Sequence, residues 1–392
     1  MWLAVAVICL IQQAMHSEVF GRHLNPQTLM STPEIIQSWG YPNEQYEVLT
    51  DDGYFLQLYR IPFGIHSHWK KGNNPAVLLV SGLITDNRCW ILNLPNNSLG
   101  FALADAGYDV WMLNVRGSAW SRRHQNLSIE QEEFWNFSFH EMGIYDIPAT
   151  MKFILKETKQ DTLYYIGHSQ GATLGLIAFS IMPQLAQKVN LFMLFAPSYT
   201  MVGTGGPLLF FKLLPDGLKK FIWGNKEFCI LPSKLKAVNA KLCSFVIIDK
   251  ICVQIFSIIF GDNKKNVNVS RFDVYAGTFP DFTSVKTVIH WGQVAKTEEF
   301  KYFDYGHKNK AVYNLTTPPV YKLEDMTVPT AVWSAGKDII TDKRDIDRLL
   351  PRITHLIFHK HLPDWQHTDF LTGLDAPKYL YPDLLGLMEH YK

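Results

Sequence analysis

Short, nearly continuous apolar runs recur along the chain, each followed by turn residues or by a helical period. The clearest are Ala76 to Val80 (AVLLV), Asp109 to Leu113 (DVWML), Leu163 to Ile166 (LYYI), Leu191 to Phe195 (LFMLF), Thr330 to Trp333 (TAVW) and His355 to Phe358 (HLIF). A strand with no polar face is buried on both sides, which a parallel sheet covered by helices requires. The stretch from Asp146 shows the intervening element: Asp146 stands where a cap belongs, Pro148 fits the first turn, and Met151, Ile154 and Leu155 share one face. The pattern predicts an α/β architecture with a mostly parallel central sheet.

Between Tyr199 and Asp325 this rhythm breaks, and helical and irregular segments are expected. Two greasy stretches stand out there, Pro207 to Trp223 and Leu242 to Phe260; Asp249 and Lys250 interrupt the second, which argues against a membrane span. We therefore expect an inserted helical cap, or lid, over 199–325, between two parts of one core at 19–198 and 326–392. The length of 392 residues accommodates such a domain, and 47% hydrophobic against 19% charged residues supports a sizeable core. A net charge of +1 supplies no field for nucleic acid, so no nucleic-acid partner is expected.

The apolar run from Met1 to Ile11 falls short of the roughly 20 residues that span a bilayer. Ala14, His16 and Ser17 follow it, and we read residues 1–18 as a signal peptide, with no stable transmembrane anchor. Its removal takes Cys9 and leaves Cys89, Cys229, Cys243 and Cys252, for which three full pairings are open. Acceptor triplets for N-glycosylation occur at Asn96, Asn126, Asn136, Asn268 and Asn314. Asn136, inside the aromatic stretch FWNFSF, reads as too buried to carry a glycan; the other four are candidates. A secreted destination is expected, with the lysosome as the alternative.

The strongest motif is Gly167-His168-Ser169-Gln170-Gly171, between an apolar strand and a helix rich in small residues. This is a nucleophile elbow, which presents the serine Oγ at a tight strand-to-helix turn. A serine hydroxyl needs a neighbouring base, and in this arrangement an acid and then a histidine follow in later loops. Asp338 is the first acid beyond Thr330 to Trp333; Asp342, Asp345 and Asp347 fall in the next helical segment and read as solvated. His355, His359 and His361 fall on or beside the last strand, whereas His367 lies in the loop beyond it; Asp364 and Asp369 are weaker candidates for the acid. The catalytic candidates are Ser169, Asp338 and His367, and the implied chemistry is acyl transfer. Oxyanion donors are expected from the backbone N–H of Gln170 and of Leu83, in the loop after AVLLV. Neither a metal-ligand cluster nor a phosphate or dinucleotide motif is present, so no metal or cofactor is expected.

With these residues in view, the chain resembles the acid lipase family of α/β-hydrolases, the group containing gastric and lysosomal acid lipases. The resemblance rests on YPNEQYEVLTDDGYFLQLYRIP, NLPNNSLGFALADAGYDVWMLNVRG, FWNFSFHEMGIYDIPATMKFI, GHSQGAT, SRFDVY and WQHTDFLTGLDAP, spread over nearly the whole chain. It implies the α/β-hydrolase fold, the triad and oxyanion donors named above, and a disulfide between Cys243 and Cys252. It also implies a lipid ester substrate, a triacylglycerol or cholesteryl ester, met at a lipid–water interface. The chain departs from the family's pattern at several places. Ser81-Gly82-Leu83 replaces His-Gly-Leu, Ser118-Ala119 replaces Asn-Thr, His140 replaces an acid, and Phe260 stands where a third cysteine is common. The altered Ser81 loop keeps a second expectation open, a lipid-binding homologue with impaired catalysis.

Overall fold

A computed structural model describes residues 23–65, 74–245 and 248–392. The proposed signal peptide lies outside the described residues. The expected apolar runs all form strands: β3 (Ala76–Val80), β4 (Asp109–Leu113), β5 (Leu163–His168), β6 (Val189–Phe195), β7 (Thr330–Ala335) and β8 (Leu356–Leu362). Two more precede them, β1 (Glu44–Leu49) and β2 (Tyr54–Ile61). The order across the sheet is β1-β2-β4-β3-β5-β6-β7-β8, and the short strand Arg123–His124 pairs beside β2. From β4 to β8 every pair is parallel; β1 with β2, and β2 with β4, are antiparallel. Neither β1 nor β2 was among the expected strands, because partly exposed residues interrupt the apolar signal of both: β1, at the sheet edge, buries only Val48, and β2 leaves Phe55, Gln57 and Arg60 half-buried.

The chain leaves β3 toward one edge of the sheet and leaves β5 toward the other. Their C-terminal ends are neighbours, with Val80 opposite Gly167. A crevice opens at such a reversal, since the two following loops diverge.

The helix expected from Asp146 forms as α1 (Ile147–Thr158), with Met151 and Ile154 buried and Leu155 half-buried. Asp146 does not cap it. A π-helical turn (Met142–Asp146) runs directly into α1, so the helix has no open N-terminus at that point. The Asp146 carboxylate turns instead to the buried Arg116, 2.7 Å away, whose guanidinium also meets Asp52 at 2.5 Å. Tyr54 of β2 lies under the same guanidinium at 4.1 Å. This cluster fixes the N-terminal hairpin to the core. Burial pushes the Asp146 carboxyl up to about 6, against the pull of Arg116.

The helix after Ser169 is α2 (Gln170–Ile181), buried along almost its whole length against the sheet. Between β6 and β7 lie α3 (Leu208–Leu213), α4 (Asp216–Trp223), α5 (Ser233–Cys243), α6 (Ile248–Phe260), α7 (Phe272–Thr278) and α8 (Val285–Thr297). Helices α3 and α4 pack on α8, while α5 and α6 pack on α7. A disulfide joins Cys243 to Cys252, tying α5 to α6, and Cys89 and Cys229 are free. No helix of the described residues is long and apolar enough to cross a membrane.

Asn136 corrects an expectation. Its aromatic neighbours Phe134, Trp135 and Phe137 are buried, but Asn136 itself is exposed, and its Oδ1 accepts from Lys286 Nζ at 3.1 Å. Asn96, Asn126 and Asn314 are also exposed, and Asn268 is half-buried.

Replacing Arg116 by Met should leave Asp146 buried without its cation and cost about 3–5 kcal/mol at neutral pH. Without the pull of Arg116 the buried Asp146 carboxyl takes up a proton more readily, so the loss should shrink as pH falls. Urea unfolding at two pH values checks both; near wild-type stability at neutral pH would refute the role given to this cluster.

Candidate active site

Ser169 sits between β5 and α2 with φ 54° and ψ −119°, a backbone conformation that non-glycine residues rarely adopt. Strain of this kind costs on the order of 1–3 kcal/mol and persists only where the surroundings impose it. Here the close approach of α2 to the sheet imposes it. A Cβ on Gly171 would lie 2.1 Å from the Val80 carbonyl oxygen, and one on Gly167 would lie 2.5 Å from the Ala172 nitrogen. Both glycines are therefore steric requirements of the turn.

His367 lies in the loop after β8, with Nε2 2.9 Å from Ser169 Oγ and Nδ1 2.7 Å from Asp338 Oδ2. Asp338 follows β7 and is held rigidly. Its Oδ1 accepts from the Ile340 and Thr341 amides, and its Oδ2 also accepts from Thr341 Oγ1. All three residues are buried. The structure thus brings together the three residues expected to form a triad.

The rival acids lie elsewhere. Asp342 caps helix Lys343–Leu349, Asp347 pairs with Lys343 at the surface, and Asp364 pairs with Lys337. Asp345, expected to be solvated, is fully buried. It accepts from the Tyr199 and Thr200 amides and from Thr200 Oγ1, because the segment leaving β6 has no ladder partner for those donors. His359 and His361 lie on the exposed face of β8, both beside Ser334 Oγ, and His355 is exposed just before the strand.

The Gln170 amide is the first of α2, where a helix leaves its N–H groups without internal acceptors and carries partial positive charge. The Gln170 side chain points elsewhere and accepts from Trp291 Nε1 at 2.8 Å. The loop bearing Leu83 presses on the serine: a Cβ on Gly82 would lie 3.0 Å from Ser169 Cβ. This loop closes on itself without a histidine at position 81. Ser81 Oγ donates to the Thr85 carbonyl at 3.1 Å, and Thr85 Oγ1 donates to the Gly82 carbonyl at 2.8 Å.

Several partners carried no signal that sequence reasoning could weigh. Ser198 Oγ lies 3.2 Å from Ser169 Oγ. His168 is buried, and burial holds its imidazole neutral; its Nε2–H donates to the His367 carbonyl at 2.8 Å. The loop of His367 is tied to the end of α6. The His367 amide donates to the Phe260 carbonyl at 3.2 Å, and Phe260 lies parallel to the imidazole. Asp369 accepts from the Gln366 amide and from Asn263 Nδ2, each at 2.7 Å, and its burial pushes the carboxyl up to about 7.

A cavity of about 330 Å³ opens over Ser169 and His367. Its walls come largely from the segment between β6 and β7 and are mainly apolar, with Phe256, Phe260, Phe272, Phe279 and Trp291 among them.

A doubly covered, mostly parallel sheet with a serine at the turn after a middle strand, hydrogen-bonded to a histidine that is itself hydrogen-bonded to an aspartate, both from later loops, is the architecture of an α/β-hydrolase. The α/β hydrolase fold profile matches residues 75–374, and a partial α/β-hydrolase lipase region matches residues 32–94. The chain is 46% identical to human lysosomal acid lipase/cholesteryl ester hydrolase, covering 98% of each chain. It is 46% identical to human lipase member M, over 99% of this chain and 93% of that one, and 43% identical to mouse gastric triacylglycerol lipase, over 99% of each. The chain belongs to the acid lipase family of α/β-hydrolases. Among solved structures, the monoglyceride lipase of Saccharomyces cerevisiae shares the fold, with a TM-score of 0.54 at 13% identity over 89% of this chain and 96% of that one.

The raised Asp369 carboxyl makes a linkage prediction. A group that holds its proton more tightly when folded stabilises the fold at low pH, and that stability is lost as pH rises through its folded value, here about 7. His290 works in the opposite sense: burial depresses it to about 3, so its contribution is present above the usual histidine range and is lost as pH falls. The Asp369 contribution is isolated by comparing wild type with Asp369→Asn. The stability difference between the two should change by on the order of 2–4 kcal/mol between pH 4 and pH 8. A difference that does not vary with pH in thermal or urea unfolding would overturn the assignment.

Proposed function

We propose that the chain hydrolyses carboxylic esters of lipids, triacylglycerols or cholesteryl esters, through an acyl-enzyme on Ser169. The observation that carries this reading is the unbroken hydrogen-bonded line from Asp338 through His367 to Ser169, opening into an apolar cavity. The names of the relatives support the substrate class.

In this mechanism His367 Nε2 accepts the Ser169 proton as Oγ attacks the ester carbonyl, and Asp338 stabilises the imidazolium. The oxyanion accepts hydrogen bonds from the Gln170 and Leu83 amides. Collapse releases the alcohol, which takes the proton from His367. Water, deprotonated by His367, then attacks the acyl carbonyl, and the fatty acid departs as Ser169 regains its proton. The cavity shields the acyl chain from water, and each buried methylene contributes about 0.8 kcal/mol to binding. The helices between β6 and β7 act as a cap over this cavity, and the substrate is taken from a lipid–water interface. The same reading places the protein in the secretory pathway, outside the cell or in the lysosome, with glycans on Asn96, Asn126, Asn268 and Asn314.

A fluorophosphonate probe tests the nucleophile directly. Wild type should label and Ser169→Ala should not, while ester turnover falls by about 10⁴-fold or more with unfolding unchanged. Asp338→Asn should lower turnover by a comparable factor without loss of substrate binding, because His367 is left in the wrong tautomer. A well-folded wild type that neither labels nor turns over long-chain esters would favour the lipid-binding reading, with the Ser81 loop as its cause.

A further inference from the structure

The segment leaving β6 sets a second hydroxyl beside the nucleophile. Ser198 is buried and lines the cavity, with its Oγ 3.2 Å from Ser169 Oγ. The surroundings impose this placement. Ala196, two residues earlier, has φ 42°, a conformation that a non-glycine residue keeps only under constraint. The Ser198 amide donates to the Ser169 carbonyl at 3.4 Å, and the Ser198 carbonyl accepts from Thr173 Oγ1 of α2 at 2.6 Å. The next two amides, of Tyr199 and Thr200, are held by the buried Asp345. The hydroxyl is therefore carried by a loop fixed both to the nucleophile turn and to the core.

Proton counting gives the direction of the hydrogen bond between the two serines. The Asp338 carboxylate can only accept, so His367 Nδ1–H donates to it. Nε2 of the neutral imidazole then carries no hydrogen and accepts the single hydroxyl proton of Ser169. Ser169 Oγ has only lone pairs to offer Ser198, so the Ser198 O–H is the donor.

This bond differs in strength along the catalytic cycle. A free serine hydroxyl accepts well. In the acyl-enzyme Oγ becomes the bridging oxygen of an ester, whose lone pair is delocalised toward the carbonyl, and the bond is largely lost. The Ser198 donor thus favours the free enzyme over the acyl-enzyme, by roughly three- to tenfold for a neutral hydrogen bond. The transition states lie between these ends, so the donor slows attack by Ser169 and speeds its departure.

We propose that Ser198 is a catalytic residue of deacylation, donating a hydrogen bond to Ser169 Oγ as that oxygen leaves the acyl carbon. This role rests on the acyl-enzyme reading above. Water attacks the acyl carbon and gives its proton to His367 Nε2. The bond from carbon to Oγ then breaks, its electron pair stays on Oγ, and His367 returns the proton there. Ser198 keeps its own proton throughout, and its hydrogen bond strengthens as negative charge builds on Oγ. Deacylation is the half-reaction in need of such help, because water has to enter an apolar cavity that already holds the acyl chain.

Stopped-flow turnover of p-nitrophenyl butyrate by Ser198→Ala tests it. The substitution removes one oxygen from the cavity wall and leaves the backbone bonds of the loop in place. The burst of p-nitrophenol should exceed that of wild type, as acyl-enzyme accumulates. The ratio of the deacylation to the acylation rate constant should fall roughly three- to tenfold, with KM lowered and kcat/KM at or above the wild-type value. Fluorophosphonate, which reads the attack step alone, should label Ser198→Ala at least as fast as wild type. Ser198→Thr keeps the hydroxyl and should return the burst toward the wild-type amplitude. A joint fall in kcat/KM and labelling rate would mean that Ser198 merely shapes the site and would overturn the proposal; so would kinetics unchanged in Ser198→Ala. Either result, with a wild type that labels and turns over, leaves the hydrolase reading standing. A wild type that does neither sinks that reading itself.

Discussion

The closeness of α2 to the sheet is the constraint on which the site depends. Gly167 and Gly171 bring the first turn of that helix to within van der Waals contact of β3 and β5, and the chain can then turn only by placing Ser169 at positive φ. That one steric fact has three consequences. Ser169 Oγ is lifted clear of the sheet toward the crevice. The Gln170 amide becomes the free N-terminal donor of a helix. The loop carrying Leu83 is set against the serine, because β3 and β5 are register neighbours.

Around this fixed point the remaining parts are supplied by loops at the C-terminal ends of later strands. Asp338 is immobilised by two backbone amides and a threonine hydroxyl, so it presents one oxygen to His367 in a fixed direction. The loop of His367 is held through its backbone from two sides, by the His168 side chain and by the end of α6. The same helix that walls the cavity therefore also braces the histidine, and displacement of α6 would be felt at the base.

The departures from the family's sequence pattern are absorbed locally. Ser81 and Thr85 close the Leu83 loop through their hydroxyls. The Ala119 amide donates to Asp281, a carboxylate whose own amide donates to the Ile84 carbonyl in that loop. Burial and the nearby Asp86 push Asp281 up to about 6. His140 donates to or accepts from the Tyr321 hydroxyl, and Phe260 has become part of the cavity wall.

The sequence by itself determined the parallel core and the residues of the candidate triad. Strands buried on both faces leave an unbroken apolar signal, and the elbow needs small residues at fixed positions beside its serine. β1 and β2 escaped notice because polar, partly exposed residues interrupt the apolar run in each. What only tertiary structure decided are the long-range partnerships. Asp146 pairs with Arg116, which Asp52 also holds, rather than capping a helix end, Asp345 is drawn inside by unpaired amides from the segment after β6, and Asn136 turns outward from an aromatic cluster. Each depends on groups distant in sequence that local propensity does not encode: a buried cation, an orphaned N–H, a neighbouring lysine.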